Sequence, residues 1–212
     1  MVELVLASAS PRRSQLLRQL NLNFRIIMPD IDETPWVNER AENYVQRMSK
    51  GKASAAFARL DLSDRMNSDL VVLCADTIVV LDGEILGKPA NELAGIEMLL
   101  RLSNRTHQVL TSVTLVCFSS AQQEDFSVET LVTFGIVTRN DAERYWLSGE
   151  PHDKSGGYGI QGLGAVFVTS ITGSASNVAG LPLRETAFGL ARFGIDCLAS
   201  PTSTQREITQ HG

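Results

Sequence analysis

Residues 70–81 read LVVLCADTIVVL and are followed by Asp82-Gly83 and then Glu84-Ile85-Leu86. An apolar run bounded by a tight Asp-Gly turn predicts a buried strand that folds back as a hairpin over residues 84–86. Asp76 interrupts that run. An unpaired carboxylate on such a strand is costly, so it must be partnered, protonated, metal-bound or set at a cleft, unless it marks a bulge or kink.

Outward from this hairpin the chain alternates. Toward the N-terminus, Val2–Ala7 predicts a strand, Ser10 a helix N-cap with Pro11 at the first helical position, Phe24–Met28 a second strand and Ala41–Leu60 a helix. Toward the C-terminus, Pro89 and Asn91 precede a helix reaching about Leu102. Val109–Phe118 and Phe126–Val137 predict a longer antiparallel pair, Asp141–Leu147 a helix, Ala165–Ile171 a strand and Leu183–Phe193 a last helix. The mixture predicts an α/β fold with a mixed sheet and no strict βαβ repeat. Residues 1–200 are expected to form a single domain, and 201–212 a loose polar tail.

Composition narrows the function. With 212 residues the chain is long enough for a real core, and a net charge of -5 argues against bulk binding to nucleic acid or an acidic membrane. An anion site must then be a local concentration of Lys and Arg. Cys74, Cys117 and Cys197 are widely spaced and form no zinc or disulfide pattern, which points to a reducing compartment. The apolar start lacks a basic flank and is short for a signal peptide, and no run approaches bilayer length. The expectation is a cytoplasmic protein without membrane or nucleic-acid partners. His107, His152 and His211 show no metal-ligand spacing and are assigned no role.

Four segments carry chemistry. In Ser8-Ala9-Ser10-Pro11-Arg12-Arg13, two arginines open a helix, where the macrodipole favours anions. With a bound anion, free N–H groups, serine hydroxyls and guanidinium forks converge on it; without one they are two solvated cations. Asp32-Glu33-Thr34-Pro35 is an acidic loop that could hold a divalent cation or be a plain polar turn. Lys50, Lys52 and Lys88 taken singly suit a solvated surface. The glycine-dense stretch from Asp153 to Gly164 lets backbone approach a ligand, or is a tight surface loop; Gln161 within it offers both a donor and an acceptor.

Together these pieces resemble the Maf family of nucleoside triphosphate pyrophosphatases. The matching segments are Leu6–Arg13, Asp32-Glu33-Thr34, Lys50-Gly51-Lys52-Ala53, Ala75-Asp76-Thr77, Gly87-Lys88-Pro89, Tyr158-Gly159-Ile160-Gln161-Gly162 and Val178–Leu183, in the family's order. The resemblance implies a mixed, strongly twisted sheet flanked by helices, with two lobes around a deep nucleotide-binding cleft. It implies hydrolysis of a nucleoside triphosphate to the monophosphate and pyrophosphate with a divalent cation, Mg or Mn. It casts Asp76 as the proton acceptor that activates water, and Glu33 and Asp76 as metal contacts. Ser8, Arg12, Arg13, Lys52 and Lys88 become the triphosphate cradle. The family also allows a homodimer.

Within the family, a branch resembling 7-methyl-GTP enzymes has tryptophan after Ser-Pro, glutamine after the acid and glutamate in the late loop. This chain has Arg12, Thr77 and Gln161 instead, the set of the dTTP/UTP branch, which makes those three the expected specificity positions. A neutral amide and a hydroxyl suit a pyrimidine edge. The alternative is a non-catalytic nucleotide-binding regulator linked to cell-division arrest, which would need the cradle but not the acid.

Overall fold

The computed structural model describes residues 2–199, so the tail over 201–212 and His211 lie outside the described residues. The N-terminal half runs β1 (Glu3–Ala7), α1 (Pro11–Arg18), β2 (Phe24–Ile27), α2 (Ala41–Arg59), α3 (Leu62–Met66), β3 (Leu70–Leu81) and β4 (Glu84–Leu86). The C-terminal half runs α4 (Glu92–Leu102), β5 (Thr106–Cys117), β6 (Gln122–Phe134), α5 (Arg139–Leu147), β7 (Val168–Thr172), α6 (Ala175–Val178) and α7 (Leu183–Ala191). Three 3₁₀ turns, at Glu150–Asp153, Ser155–Gly157 and Leu163–Phe167, fill the segment between α5 and β7.

Seven strands form one mixed sheet in the order β2-β1-β3-β5-β6-β7, with β4 also on β3. β1 is parallel to both β2 and β3, and the other pairings are antiparallel. The hairpin forms as its turn demands, with φ of 52° at Asp82 and 81° at Gly83.

Register on β3 makes the cleft. Along one edge, β5 pairs without interruption from Val72 to Val80. Along the other, β1 covers Leu70–Cys74 and β4 covers Val79–Leu81. Neither covers Ala75–Ile78, and that uncovered window holds Asp76 and Thr77.

Packing sharpens the division. One face of β3 lies along α2, where Val72 and Cys74 meet Ala53, Ala56 and Leu60, and Ile78 and Val80 meet Val45 and Met48. The opposite face is covered by two separate groups. Val71, Leu73 and Ala75 pack with Leu16, Leu17, Leu181 and Leu190 from α1, α7 and the segment between α6 and α7. Val79 and Leu81 pack with Ile96, Leu99, Leu102 and Tyr145 from α4 and α5. Each fully buried leucine here contributes about 1.5–3 kcal/mol of apolar transfer. These two groups are the lobes, and the cleft opens between them over the window.

Several boundaries differ from expectation. The strand expected over Ala165–Ile171 begins only at Val168, because a 3₁₀ turn occupies Leu163–Phe167. There Gly164 lies so near Gly159 that an added Cβ would be 2.7 Å from its carbonyl oxygen. β5 starts at Thr106 because residues 106–108 pair with 131–133, and β6 starts at Gln122, whose polar first residues face solvent while their backbones pair with 114–117. α3 was not expected; Asp61 caps it by accepting from the Asp64 amide at 2.8 Å. Ser10 occupies the N-cap of α1 but makes no side-chain cap bond, and Ser8 Oγ accepts from the Ser10 amide instead at 3.1 Å.

Candidate active site

The acid on the apolar strand has a partner. α2 buries Val45, Met48, Ser49, Lys52, Ala53 and Ala56 along one stripe, so Lys52 is a charge in a position its helix reserves for the interior. Its Nζ donates to Asp76 Oδ1 at 2.6 Å and pairs with Glu33 Oε1 at 2.8 Å. The side chains of Lys52 and Asp76 are only 11% and 10% exposed, so the desolvation cost of each is met by the other. Lys88 Nζ stands 3.8 Å from Glu33 Oε2 and is largely exposed. Lys50 points elsewhere and pairs with Asp125 at 3.3 Å. Of the three lysines expected at the surface, Lys52 is therefore the exception.

Glu33 reaches this cluster from the loop between β2 and α2. Tyr44 Oη donates to the Glu33 carbonyl at 2.8 Å. Arg47 donates to both carboxylate oxygens of Glu39 and to the Thr34 carbonyl, and its guanidinium stacks 4.0 Å from the Trp36 ring centre. Burial pushes the Glu33 carboxyl up, but the Lys52 hydrogen bond and the charges of Lys52, Lys88 and Arg13 outweigh it and hold it below its ordinary value. Burial, then Asp76 and Glu33, push the Tyr44 phenol up to about 12, so it remains a donor.

The two arginines at the start of α1 differ. Arg13 is buried and satisfied within the protein: Nε donates to the Gly180 carbonyl at 2.9 Å, Nη2 to Thr77 Oγ1 at 3.0 Å and Nη1 to Ser8 Oγ at 3.3 Å. Desolvation lowers its pKa from the ordinary arginine value, and Asp76 opposes that shift. Arg12 projects across the cleft to Asp153 Oδ2 at 3.3 Å. Asp153 also pairs with Lys154 at 2.7 Å.

Ser8, Arg12, Arg13, Glu33, Lys52, Asp76, Thr77 and Lys88 all line one cleft of about 510 Å³. Alternation along β3 aims Asp76 at α2 and Thr77 at the opposite face, where its hydroxyl meets Thr111 Oγ1 at 2.9 Å besides Arg13. Gln161 is not in this cleft. It lines an adjoining pocket of about 210 Å³ with Arg12, Gln15, Glu150 and Lys154. Of the three expected specificity positions, Arg12 and Thr77 border the main cleft, and Arg12 alone borders both spaces.

Glu150 and Tyr145 were missed by sequence reading. Tyr145 Oη donates to Glu150 Oε1 at 2.7 Å, and the carboxylate accepts from the amides of Leu163 and Gly164. Nothing local in Gly149-Glu150-Pro151 marks that role, which depends on amides thirteen and fourteen residues away.

A divalent cation fits the donor set. Glu33 and Asp76 present hard carboxylate oxygens on one wall, and the described residues hold no cluster of three or more His, Cys, Asp or Glu that could cage a metal alone. A magnesium-like ion is held in just that way, by one or two carboxylates, with substrate phosphates and water completing its shell.

Relatives align with this chain over most of its length. A dTTP/UTP pyrophosphatase of Vibrio vulnificus (strain YJ016) is 48% identical over 186 residues, spanning 88% of this chain and 96% of its own. One of the same name from Pseudoalteromonas atlantica (strain T6c / ATCC BAA-1087) is 47% identical over 193 residues, spanning 91% and 97%. Among solved structures, a HAM1 protein from Coxiella burnetii is a distant partial likeness, with 18% identity, a TM-score of 0.42, and coverage of 63% of this chain and 73% of that one. The family description "Maf-like protein" matches residues 3–193, which takes in every element from β1 to α7. The chain belongs to the Maf-like protein family.

Proposed function

We propose that the chain is a nucleoside triphosphate pyrophosphatase that hydrolyses dTTP and UTP to the monophosphate and pyrophosphate, with Asp76 as general base. The observation that carries this is Asp76 itself: a carboxylate on an apolar strand, held by Lys52, in a cleft that also receives Arg12, Arg13 and Lys88. The names of the relatives favour the same substrates.

In this reaction a water oxygen bonds to the α-phosphorus, the bond from that phosphorus to the bridging oxygen breaks, and pyrophosphate leaves. Lys52 holds Asp76 Oδ1, and the other carboxylate oxygen takes the water's proton. Arg12, half-buried, and Lys88, exposed, exchange their carboxylate partners for phosphate oxygens and offset the charge growing on the leaving group. Arg13 and Ser8 hold the start of α1 at the cleft wall. A divalent cation, Mg or Mn, would be held mainly by Glu33, with Asp76 contacting it directly or through water, and would supply Lewis-acid polarisation of the phosphates. Gln161 reads the base edge from the adjoining pocket, with Arg12 between base and phosphates. Thr77 acts through Arg13, whose guanidinium it accepts from.

A single domain over residues 1–200 carries all of these groups. A cytoplasmic setting accords with the free thiols of Cys74, Cys117 and Cys197. A non-catalytic regulator linked to cell-division arrest would have no use for a buried acid beside the phosphate site.

The test is pyrophosphate release from the eight common nucleoside triphosphates, with Mg or Mn and with chelator. dTTP and UTP are expected to be turned over best, only with metal. Preference for a purine nucleotide, or release of orthophosphate alone, would reject the assignment.

A further inference from the structure

Gln161 is exposed, and its amide makes no hydrogen bond among the described residues. Its place is therefore set by the backbone around it, and that backbone is clamped at both ends by one pair of side chains. On the near side, the Gly159 amide donates to Tyr145 Oη at 3.0 Å. On the far side, the Leu163 amide donates to Glu150 Oε2 at 2.8 Å and the Gly164 amide to Oε1 at 3.0 Å. Tyr145 Oη closes the circuit by donating to Glu150 Oε1 at 2.7 Å. Only Ile160, Gln161 and Gly162 lie between the anchors.

The glycines follow from this clamp. A Cβ on Gly162 would lie 2.2 Å from Glu150 Oε2, and one on Gly159 would lie 2.8 Å from Oε1. A Cβ on Gly164 would lie 2.6 Å from Tyr145 Oη. At Gly164 the Gly159 carbonyl oxygen also stands 2.7 Å from an added Cβ, so no larger residue fits there, and at Gly159 or Gly162 a larger residue would push the Glu150 carboxylate out of the clamp. Three donors converge on two oxygens, which an acceptor-only carboxylate satisfies and an amide does not.

We infer that Glu150, with Tyr145, is the positioning residue for Gln161 and thereby sets discrimination among nucleotide bases. This rests on the pyrimidine-nucleotide reading above. Neither residue lines the main cleft that holds Asp76, so their loss acts on base recognition and not on the chemical step.

The test is kcat and KM for dTTP, UTP, dCTP and dGTP in wild type, Glu150→Gln and Tyr145→Phe. For Glu150→Gln, KM for dTTP and UTP is expected to rise about tenfold while kcat stays within about twofold, the cost of one lost well-placed hydrogen bond to substrate. The ratio of kcat/KM for dTTP over dCTP should fall with it, and Tyr145→Phe should move both quantities the same way by less. Should Glu150→Gln fail to fold, the Tyr145→Phe ratio decides. An unchanged ratio in the folded variants, or an equal fall in kcat for every base, would overturn the inference as a role in folding only. A wild type with no base preference would reject the pyrimidine reading and this inference with it, an outcome visible before any variant is measured.

Discussion

Arg13 begins as an electrostatic oddity, a cation in the first turn of α1, and ends as a strut. Its guanidinium joins α1 to Thr77 on β3 and to the Gly180 carbonyl, so the helix dipole is opposed by a side chain with three acceptors of its own. Among the described residues Arg12 keeps only Asp153, across the cleft, and is free to change partners. His107 illustrates the bland alternative to function. It is buried against Phe134 and Tyr158, its Nε2 shares a hydrogen bond with Tyr158 Oη at 2.8 Å, and its Nδ1 has no partner among the described residues. Desolvation lowers its pKa to about 4 from an ordinary 6.5. The unfolded chain therefore takes up this proton first as pH falls, so the stabilisation present above pH 6.5 is lost progressively down to about pH 4. The whole loss is about 3 kcal/mol. Urea unfolding at pH 7 and pH 5 should show this slope in wild type and a flatter one in His107→Gln. Equal slopes would mean that His107 protonates as readily when folded.

Gly51 and Gly95 both lie inside helices, and their surroundings give opposite expectations. Gly51 on α2 leaves room, since an added Cβ would meet only Ile31 Cδ1 at 3.5 Å. Gly51→Ala should stabilise the fold by about 0.5–1 kcal/mol through helix propensity. Gly95 on α4 has Trp146 of α5 against it, with ring carbons 2.5 Å from where a Cβ would sit. Gly95→Ala should destabilise by about 1–3 kcal/mol despite the same propensity gain. Urea midpoints of the two variants check both signs, and stabilisation by Gly95→Ala would contradict the helix contact. Elements were legible where one local signal governs: the Asp-Gly turn, Pro11 and the Asn91 cap, which accepts from the Ala94 amide. They were not where partners decide. The polar start of β6 is a strand only because β5 pairs with it, and Leu163–Phe167 turns because Gly164 is drawn onto Tyr145 and Gly159.

For the molecule as a whole, the cleft exists because two short strands share one edge of β3 without meeting, leaving the backbone edge at Asp76 and Thr77 uncovered between two lobes. The apolar run that frames Asp76 was plain in the sequence, and so was the cationic start of α1. Lys52 taken singly read as a surface lysine, and only the family resemblance drew it into the cradle; its burial depends on how α2 lies on β3. Glu150, Tyr145 and Asp153 were hidden, because each acts through a partner brought near by the fold. The separation of Gln161 from the main cleft was equally hidden, since sequence order says nothing about which space a loop residue faces. The claim that joins these parts is that Asp76 performs chemistry there. The most direct measurement is pyrophosphate release from dTTP by Asp76→Asn, with its folding checked by circular dichroism and its dTTP binding by calorimetry. The folded variant should bind dTTP and lose turnover by about 10²–10⁴-fold. Turnover within a few-fold of wild type would show that another group accepts the proton.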